Sequence, residues 1–208
     1  MAARSAAASS PASGRPDLVI ASGNAGKVRE FGHLLAGLRL QIRPQPEGLE
    51  VEETGDTFAE NARLKASAVA RASGCWALAD DSGLSVSALG GAPGVHSARY
   101  AHSDLERIAR LLRELDGAGD RSAQFTAALA VADPSGTIRL EVEGICPGEI
   151  LKEQRGTGGF GYDPVFFVPE AGLTYAEMDK ALKGRIGHRG QAFALLAPQL
   201  RELLGAGL

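Results

Sequence analysis

The architecture turns on Trp76-Ala77-Leu78-Ala79-Asp80-Asp81-Ser82-Gly83-Leu84-Ser85-Val86-Ser87-Ala88-Leu89. Trp76 to Ala79 is short and apolar and follows Gly74, the pattern of a buried strand. Leu84 to Leu89 alternates and predicts a second strand. Asp80 and Asp81 are then expected where one strand ends and the next begins. Ionised carboxylates are costly to bury unless they are paired or bind a metal. Successive strand side chains point to opposite faces, so the two aspartates are expected to serve different roles. The alternative is a polar turn in which Asp and Gly supply the bend.

Working outward, Asp17 to Ala21 reads as a strand. Ser22-Gly23-Asn24-Ala25-Gly26-Lys27 follows, then a helix with Val28, Phe31, Leu34, Leu35 and Leu38 at helical spacing. Free backbone N–H groups and the helix dipole make such a junction a natural anion site. Lys27 sits in the first turn, where the dipole disfavours a cation and a bound phosphate would reverse that preference. An ordinary β–α turn with a solvated lysine reads equally well. The segment is not a Walker A loop, since G-x-x-x-x-G-K-[ST] is absent. Leu40 to Pro44 reads as a second strand. Glu47 to Gly55 is an acidic connector, either a solvated loop or the source of one hard oxygen ligand. Thr57-Phe58-Ala59-Glu60 predicts a capping box opening a helix to about Ala72, with Gly74 stopping it. Phe58, Asn61, Ala62 and Lys65 share one face of that helix. Lys65 there either snorkels at the core edge or reaches a shared anion.

Downstream, Gly90 to Tyr100 is a Gly/Pro loop. Ser103 to Glu106 is a capping box before a structural helix with Leu105, Ile108, Leu111, Leu112 and Leu115 as its buried stripe. Ala123 to Ala132 and Thr137 to Glu143 form a hairpin, and Ile145 to Leu151 extends the sheet. Gly156-Thr157-Gly158-Gly159-Phe160-Gly161-Tyr162-Asp163-Pro164 precedes strand Val165 to Val168. Its glycines let backbone approach a flat ligand, and its aromatics can stack on one. Lys180, Lys183, Arg185, His188 and Arg189 form a basic cluster before a helix that Pro198 kinks or splits.

The 208 residues, 44% hydrophobic and 23% charged, suit one globular domain or two closely joined lobes. The net charge of −3 argues against a nonspecific nucleic-acid binder. No apolar run approaches the ~20 residues that span a bilayer. Residues 1–15 are rich in Ala, Ser, Pro and Gly, lack an apolar signal core, and are expected to be a disordered extension before a single domain at 16–208. Cys75 and Cys146 lack C-x-x-C spacing and are expected to be free buried thiols in a reducing cytoplasm.

Seven segments together resemble the inosine triphosphate pyrophosphatase family. They are SGNAGKVREF at 22–31, TFAENARLKA at 57–66, ADDSGL at 79–84, LGGAPGVHSARYA at 89–101, GTGGFGYDPVFF at 156–167, TYAEM at 174–178 and GHRGQAF at 187–193. Each alone is weak, and all seven in order make a specific match. Gly187 departs from the serine that family members usually carry before His-Arg. The resemblance implies hydrolysis of ITP, dITP and XTP to the monophosphate and pyrophosphate with Mg²⁺, by a cytoplasmic homodimer with no nucleic-acid or membrane partner. It implies an α/β fold, a long twisted mixed β-sheet with flanking helices forming two lobes around a central cleft. By the same resemblance, Ser22, Gly23, Asn24, Ala25, Gly26 and Lys27 bind the triphosphate. Asp81 holds Mg²⁺ and is the base for the attacking water, with Ser82 beside it and Glu53 supporting the metal. Lys65 and Lys183 contact phosphates. Phe160, Gly161, Tyr162 and Asp163 hold the base together with His188 and Arg189. Base choice follows from chemistry: a donor from His188, Arg189 or backbone favours a 6-oxo purine over the 6-amino group of adenine, and a second donor near position 2 rejects guanine. The competing readings are a Maf-type nucleotide pyrophosphatase and a noncatalytic nucleotide- or RNA-binding module.

Overall fold

The computed structural model describes residues 15–205. The expected extension over residues 1–15 therefore lies, apart from Arg15, outside the described residues. The chain runs β1 (Asp17–Ala21), α1 (Ala25–Leu35), β2 (Gln41–Pro44), α2 (Phe58–Ser73), β3 (Trp76–Val86), α3 (Asp104–Glu114), β4 (Ser122–Ala132), β5 (Ile138–Ile150), β6 (Phe166–Val168), β7 (Leu173–Thr174), α4 (Lys180–Ile186) and α5 (His188–Leu204). Two 3₁₀ turns, Ser87–Leu89 and Gly94–Arg99, lie between β3 and α3. The strands form one mixed seven-stranded sheet in the order β2-β1-β3-β4-β5-β6-β7. β1 pairs parallel with β2 and β3, and the remaining pairings are antiparallel.

The expectation of two strands around Asp80-Asp81 is corrected. β3 is a single strand of 11 residues, and both aspartates lie inside it. The reason is the ladder with β4, which pairs from Ala77 opposite Ala132 to Val86 opposite Ala123, with Asp80 opposite Leu129 and Asp81 opposite Ala128. Regular pairing satisfies the backbone through Asp-Ser-Gly and overrides its turn preference. β1, however, stops at Ala21 opposite Ala79. The aspartates thus sit just past the carboxyl end of a parallel neighbour, where α/β sheets place ligands. The strand ends at Val86, short of the expected Leu89.

Alternation sorts the side chains of β3. Leu78 faces α1 and α5, in a core with Leu18, Ile20, Phe31, Leu35, Leu129, Leu196 and Leu200. Ala77 and Ala79 face α2, against Ala62, Ala66, Val69 and Ala70. Burying each large aliphatic side chain contributes roughly 1.5–3 kcal/mol. The alanine-on-alanine face does less of this. It lets α2 lie close to the sheet, which brings Lys65 within reach of β3. A further core gathers Leu84, Val86, Ile108, Leu111, Leu115, Phe125, Tyr162, Phe166 and Tyr175.

Helix termini follow their caps. Thr57 and Ser103 complete capping boxes with Glu60 and Glu106, and Gly74 ends α2 in the left-handed region at φ 65°. Four expectations shift. α1 ends at Leu35, so Leu38 is buried in the following turn rather than in the helix. Leu105 is 70% exposed, because it occupies the first turn of α3 and points away from the stripe formed by Ile108, Leu111 and Leu115. Lys180 to Ile186, expected as part of a basic cluster ahead of a helix, is itself helical behind an Asp179 cap. α5 begins at His188 and continues through Pro198. Both cysteines are free, Cys146 buried and Cys75 half-buried. Among the described residues, no helix is long and apolar enough to cross a membrane.

Candidate active site

The loop after β1 caps its own helix. Asn24 Oδ1 accepts the N–H groups of Gly26 at 2.8 Å and Lys27 at 3.2 Å, and Ser22 Oγ accepts the N–H of Asn24 at 3.1 Å. Gly23, Asn24 and Ala25 remain exposed. The side chain of Lys27 runs inward to Asp80, with Nζ 2.7 Å from Oδ2. That partner explains a lysine in a first turn where the helix dipole opposes it.

Asp80, on the α1/α5 face of β3, is 2% exposed. Burial alone would raise its pKa, but the charges of Lys27 and Arg189 outweigh it and hold the carboxyl well below the usual range. Arg189 Nε lies 3.4 Å from Asp80 Oδ2, Nη1 donates to Glu30 Oε2 at 3.0 Å, and Nη2 donates to Ser82 Oγ at 2.6 Å. Asp80 is thus the hub that ties α1, β3 and α5 together.

Asp81 faces the other way, towards α2. Lys65 Nζ donates to Asp81 Oδ1 at 2.9 Å and to Glu53 Oε1 at 2.7 Å, while Arg99 Nη1 donates to Glu53 Oε2 at 2.7 Å. Among the described residues, Asp81 Oδ2, like Asp80 Oδ1, is buried with no hydrogen-bond partner. Burial pushes the Asp81 pKa up, with Lys65 opposing it. Burial also acts on Glu53, but Lys65 and Arg99 prevail and lower its pKa.

The glycine-aromatic loop is pinned from three sides. Asp163 Oδ2 accepts the Phe160 N–H at 2.9 Å and Lys183 Nζ at 2.5 Å. Tyr162 Oη donates to the Ser97 carbonyl at 2.9 Å, and the Gly161 N–H donates to Asp104 Oδ2 at 2.8 Å. Phe160 stays 40% exposed, with Lys183 Nζ 5.3 Å and Arg189 Cζ 5.7 Å from its ring centroid. His188 is buried, stacked on Phe125 at 4.7 Å, with Nδ1 3.3 Å from Tyr175 Oη. Burial lowers its pKa well below 6.5, so the ring is neutral. Its place depends on Gly144 of β5, where a methyl group would collide with the backbone of His188 and Ala192.

These elements enclose a pocket of about 380 Å³ that brings Asn24, Gly26, Lys27, Glu53, Asp81, Ser82, Phe160 to Asp163, His188 and Arg189 together. Lys65 lies behind it, in contact with two lining carboxylates. Lys183 lines an adjoining pocket of about 480 Å³ that shares Gly26 and Phe160 with the first. Ser22, Gly23 and Ala25 lie in the loop beside Asn24. Gly187 is the N-cap of α5 and gives it no side-chain cap. Sequence reasoning left the role of Asp80 open and missed Glu30, Ser97, Arg99 and Asp104. Glu30 is legible as the residue one turn after Lys27, and Asp104 was read as part of a cap alone. Nothing in local spacing marks Arg99, whose partner lies 46 residues away.

The donor set suits a hard divalent cation. Among the described residues, no group of three or more His, Cys, Asp or Glu side chains forms a metal cage. Glu53, Asp81 and an unpartnered carboxylate oxygen match instead the habit of Mg²⁺, which takes one or two carboxylates and completes its shell with phosphate and water.

Residues 18–199 match the model of the Ham1 family. The dITP/XTP pyrophosphatase of Synechococcus sp. (strain CC9311) is 65% identical over 90% of this chain and 91% of its own length. That of Parasynechococcus marenigrum (strain WH8102) is 64% identical over 91% of this chain and 97% of its own. A solved HAM1 protein from Coxiella burnetii superposes with a TM-score of 0.83 at 44% identity, covering 90% of this chain and 99% of that one.

Proposed function

This chain belongs to the Ham1 family, and on that premise we propose that it hydrolyses ITP, dITP and XTP to the monophosphate and pyrophosphate, clearing non-canonical purines from the nucleotide pool. The observation that carries the reading is the sharing of Lys65 between Glu53 and Asp81, with the second oxygen of Asp81 buried and unpartnered beside Lys27 and the N-terminus of α1.

Ser22 to Lys27 and Lys65 receive the triphosphate, where helix N–H groups and ammonium groups offset its charge. Glu53 and Asp81 would hold Mg²⁺, which when bound supplies Lewis acidity and offsets charge on the leaving pyrophosphate. The Asp81 carboxylate accepts a proton from the attacking water. The water oxygen bonds to the α-phosphorus, the bond from that phosphorus to the bridging oxygen breaks, and pyrophosphate leaves. Asp80 holds Lys27 and Arg189 in place without touching the reacting atoms.

Phe160 stacks on the base, backed by Lys183 and Asp163. Tyr175 Oη accepts the backbone N–H of His188 at 3.2 Å and lies 3.3 Å from Nδ1 of its ring. We assign the ring proton to Nε2, a donor suited to a 6-oxo group and mismatched to the amino group of adenine. Arg189 donates three of its five N–H groups to Asp80, Glu30 and Ser82 and keeps two, so His188 and Arg189 can both read the 6-oxo group. Residues 16–208 form the catalytic domain, arranged as two lobes about the pocket. The protein works as a cytoplasmic homodimer.

The test is pyrophosphate release from ITP, XTP, GTP and ATP, each with and without Mg²⁺. Metal-dependent release from ITP and XTP, with little from GTP and ATP, is expected. Equal release from all four would remove the account of base choice, and release from none would remove the hydrolase.

A further inference from the structure

We propose that in the nucleotide-free protein the ammonium of Lys65 holds the place between Glu53 and Asp81 that the divalent cation later takes, so that the metal enters as nucleotide phosphate draws Lys65 away. This rests on the reading that Glu53 and Asp81 hold the metal.

The geometry carries it. Lys65 Nζ lies 2.7 Å from Glu53 Oε1 and 2.9 Å from Asp81 Oδ1, the spacing of two charge-assisted hydrogen bonds. Its side chain is 12% exposed and rises from the face of α2 that packs on the sheet, so it has little freedom to leave for solvent. A divalent cation coordinating both carboxylates would meet that ammonium at close range. Like charges in a poorly solvated site repel strongly, so a bare cation binds there at a cost. Arg99 is a second cation on Glu53, but it holds the far oxygen from a side chain that is 53% exposed, where solvent screens it, and Asp81 Oδ2 has no partner among the described residues. A triphosphate changes the balance. It offers Lys65 an anion in the same pocket, and the carboxylates are released to the metal. Metal and nucleotide therefore raise each other's affinity, and by linkage the coupling is reciprocal.

The experiment measures Mn²⁺ binding by the electron paramagnetic resonance signal of free Mn²⁺. It compares wild type, Lys65→Met, Lys65→Arg and Asp81→Asn, each without nucleotide and with an α,β-methylene analogue of dITP, correcting for metal held by free analogue. Without nucleotide, Lys65→Met should bind Mn²⁺ at least about tenfold more tightly than wild type, while Lys65→Arg, which keeps the cation, stays weak. The analogue supplies phosphate oxygens to the metal in every variant, so it should tighten Mn²⁺ binding in all of them, and by a larger factor in wild type than in Lys65→Met. Equal Mn²⁺ affinity in nucleotide-free, folded Lys65→Met and wild type overturns the proposal. If Lys65→Met does not fold, Lys65→Gln takes its place under the same two outcomes. Asp81→Asn separates the underlying reading. If it binds Mn²⁺ with the analogue as tightly as wild type, the assignment of the metal to this pair fails, whatever Lys65 does.

Discussion

Asp80 and Asp81 are neighbours in sequence and opposites in environment, because a strand turns successive side chains to opposite faces. One meets Lys27 and Arg189, the other Lys65. Asp80→Asn removes the charge that both cations are buried against. Breaking a buried pair from one side costs on the order of 3–5 kcal/mol, so denaturant unfolding of Asp80→Asn should show a loss of that order. A loss under about 1 kcal/mol would contradict the hub role. His188 gives a second residue-scale prediction. Its folded pKa lies well below the unfolded value of 6.5. The unfolded chain therefore binds the proton first, and the stability His188 contributes is present above pH 6.5 and lost as pH falls below it. The limiting slope for one group is about 1.4 kcal/mol per pH unit. Melting temperature should fall between pH 7 and pH 5 in wild type and fall less steeply in His188→Gln. Parallel curves would show that His188 is not the group responsible. Candidate residues that announce themselves by chemical incongruity were legible at this scale: a lysine in a first turn, two adjoining carboxylates, aromatics among glycines. Their partners were not, since Arg99 and Asp104 meet the site only through tertiary contacts.

The helices position the charged and ring groups of the site, and their packing decides how well. α2 approaches the sheet on alanine, which sets the reach of Lys65. α5 approaches β5 over Gly144, which seats His188 and Arg189. Gly144→Ala should therefore destabilise the protein by about 1–3 kcal/mol, as overpacking does, and should raise KM for dITP, which sets it apart from a control such as Thr57→Ala. The latter loses only a helix cap, about 1 kcal/mol, and should leave KM unchanged. A Gly144→Ala enzyme with wild-type KM would contradict the seating role. Helices with caps and periodic apolar faces were readable in advance, as α2 was nearly to the residue. The short α4 was not, because a seven-residue helix rich in lysine and arginine carries no apolar stripe.

Across the whole molecule, the sheet order and the single long β3 put the site where β1 stops and β3 continues. The α/β class and the mixed sheet were legible through the resemblance that the seven ordered segments carry, while strand and helix patterns marked individual elements. The continuity of β3 was not, because Asp-Asp-Ser-Gly has the local chemistry of a turn and only its pairing with β4 makes it a strand. That continuity sets Asp81 in the lining of the pocket, and the proposed reaction depends on it. The most direct measurement is pyrophosphate release from dITP by Asp81→Asn alongside wild type, with binding of the α,β-methylene analogue measured on both. Loss of a proton acceptor in the transition state predicts a fall in kcat on the order of 10²–10⁴, larger than any loss of analogue binding. Turnover within about threefold of wild type would place the chemistry elsewhere and contradict the account.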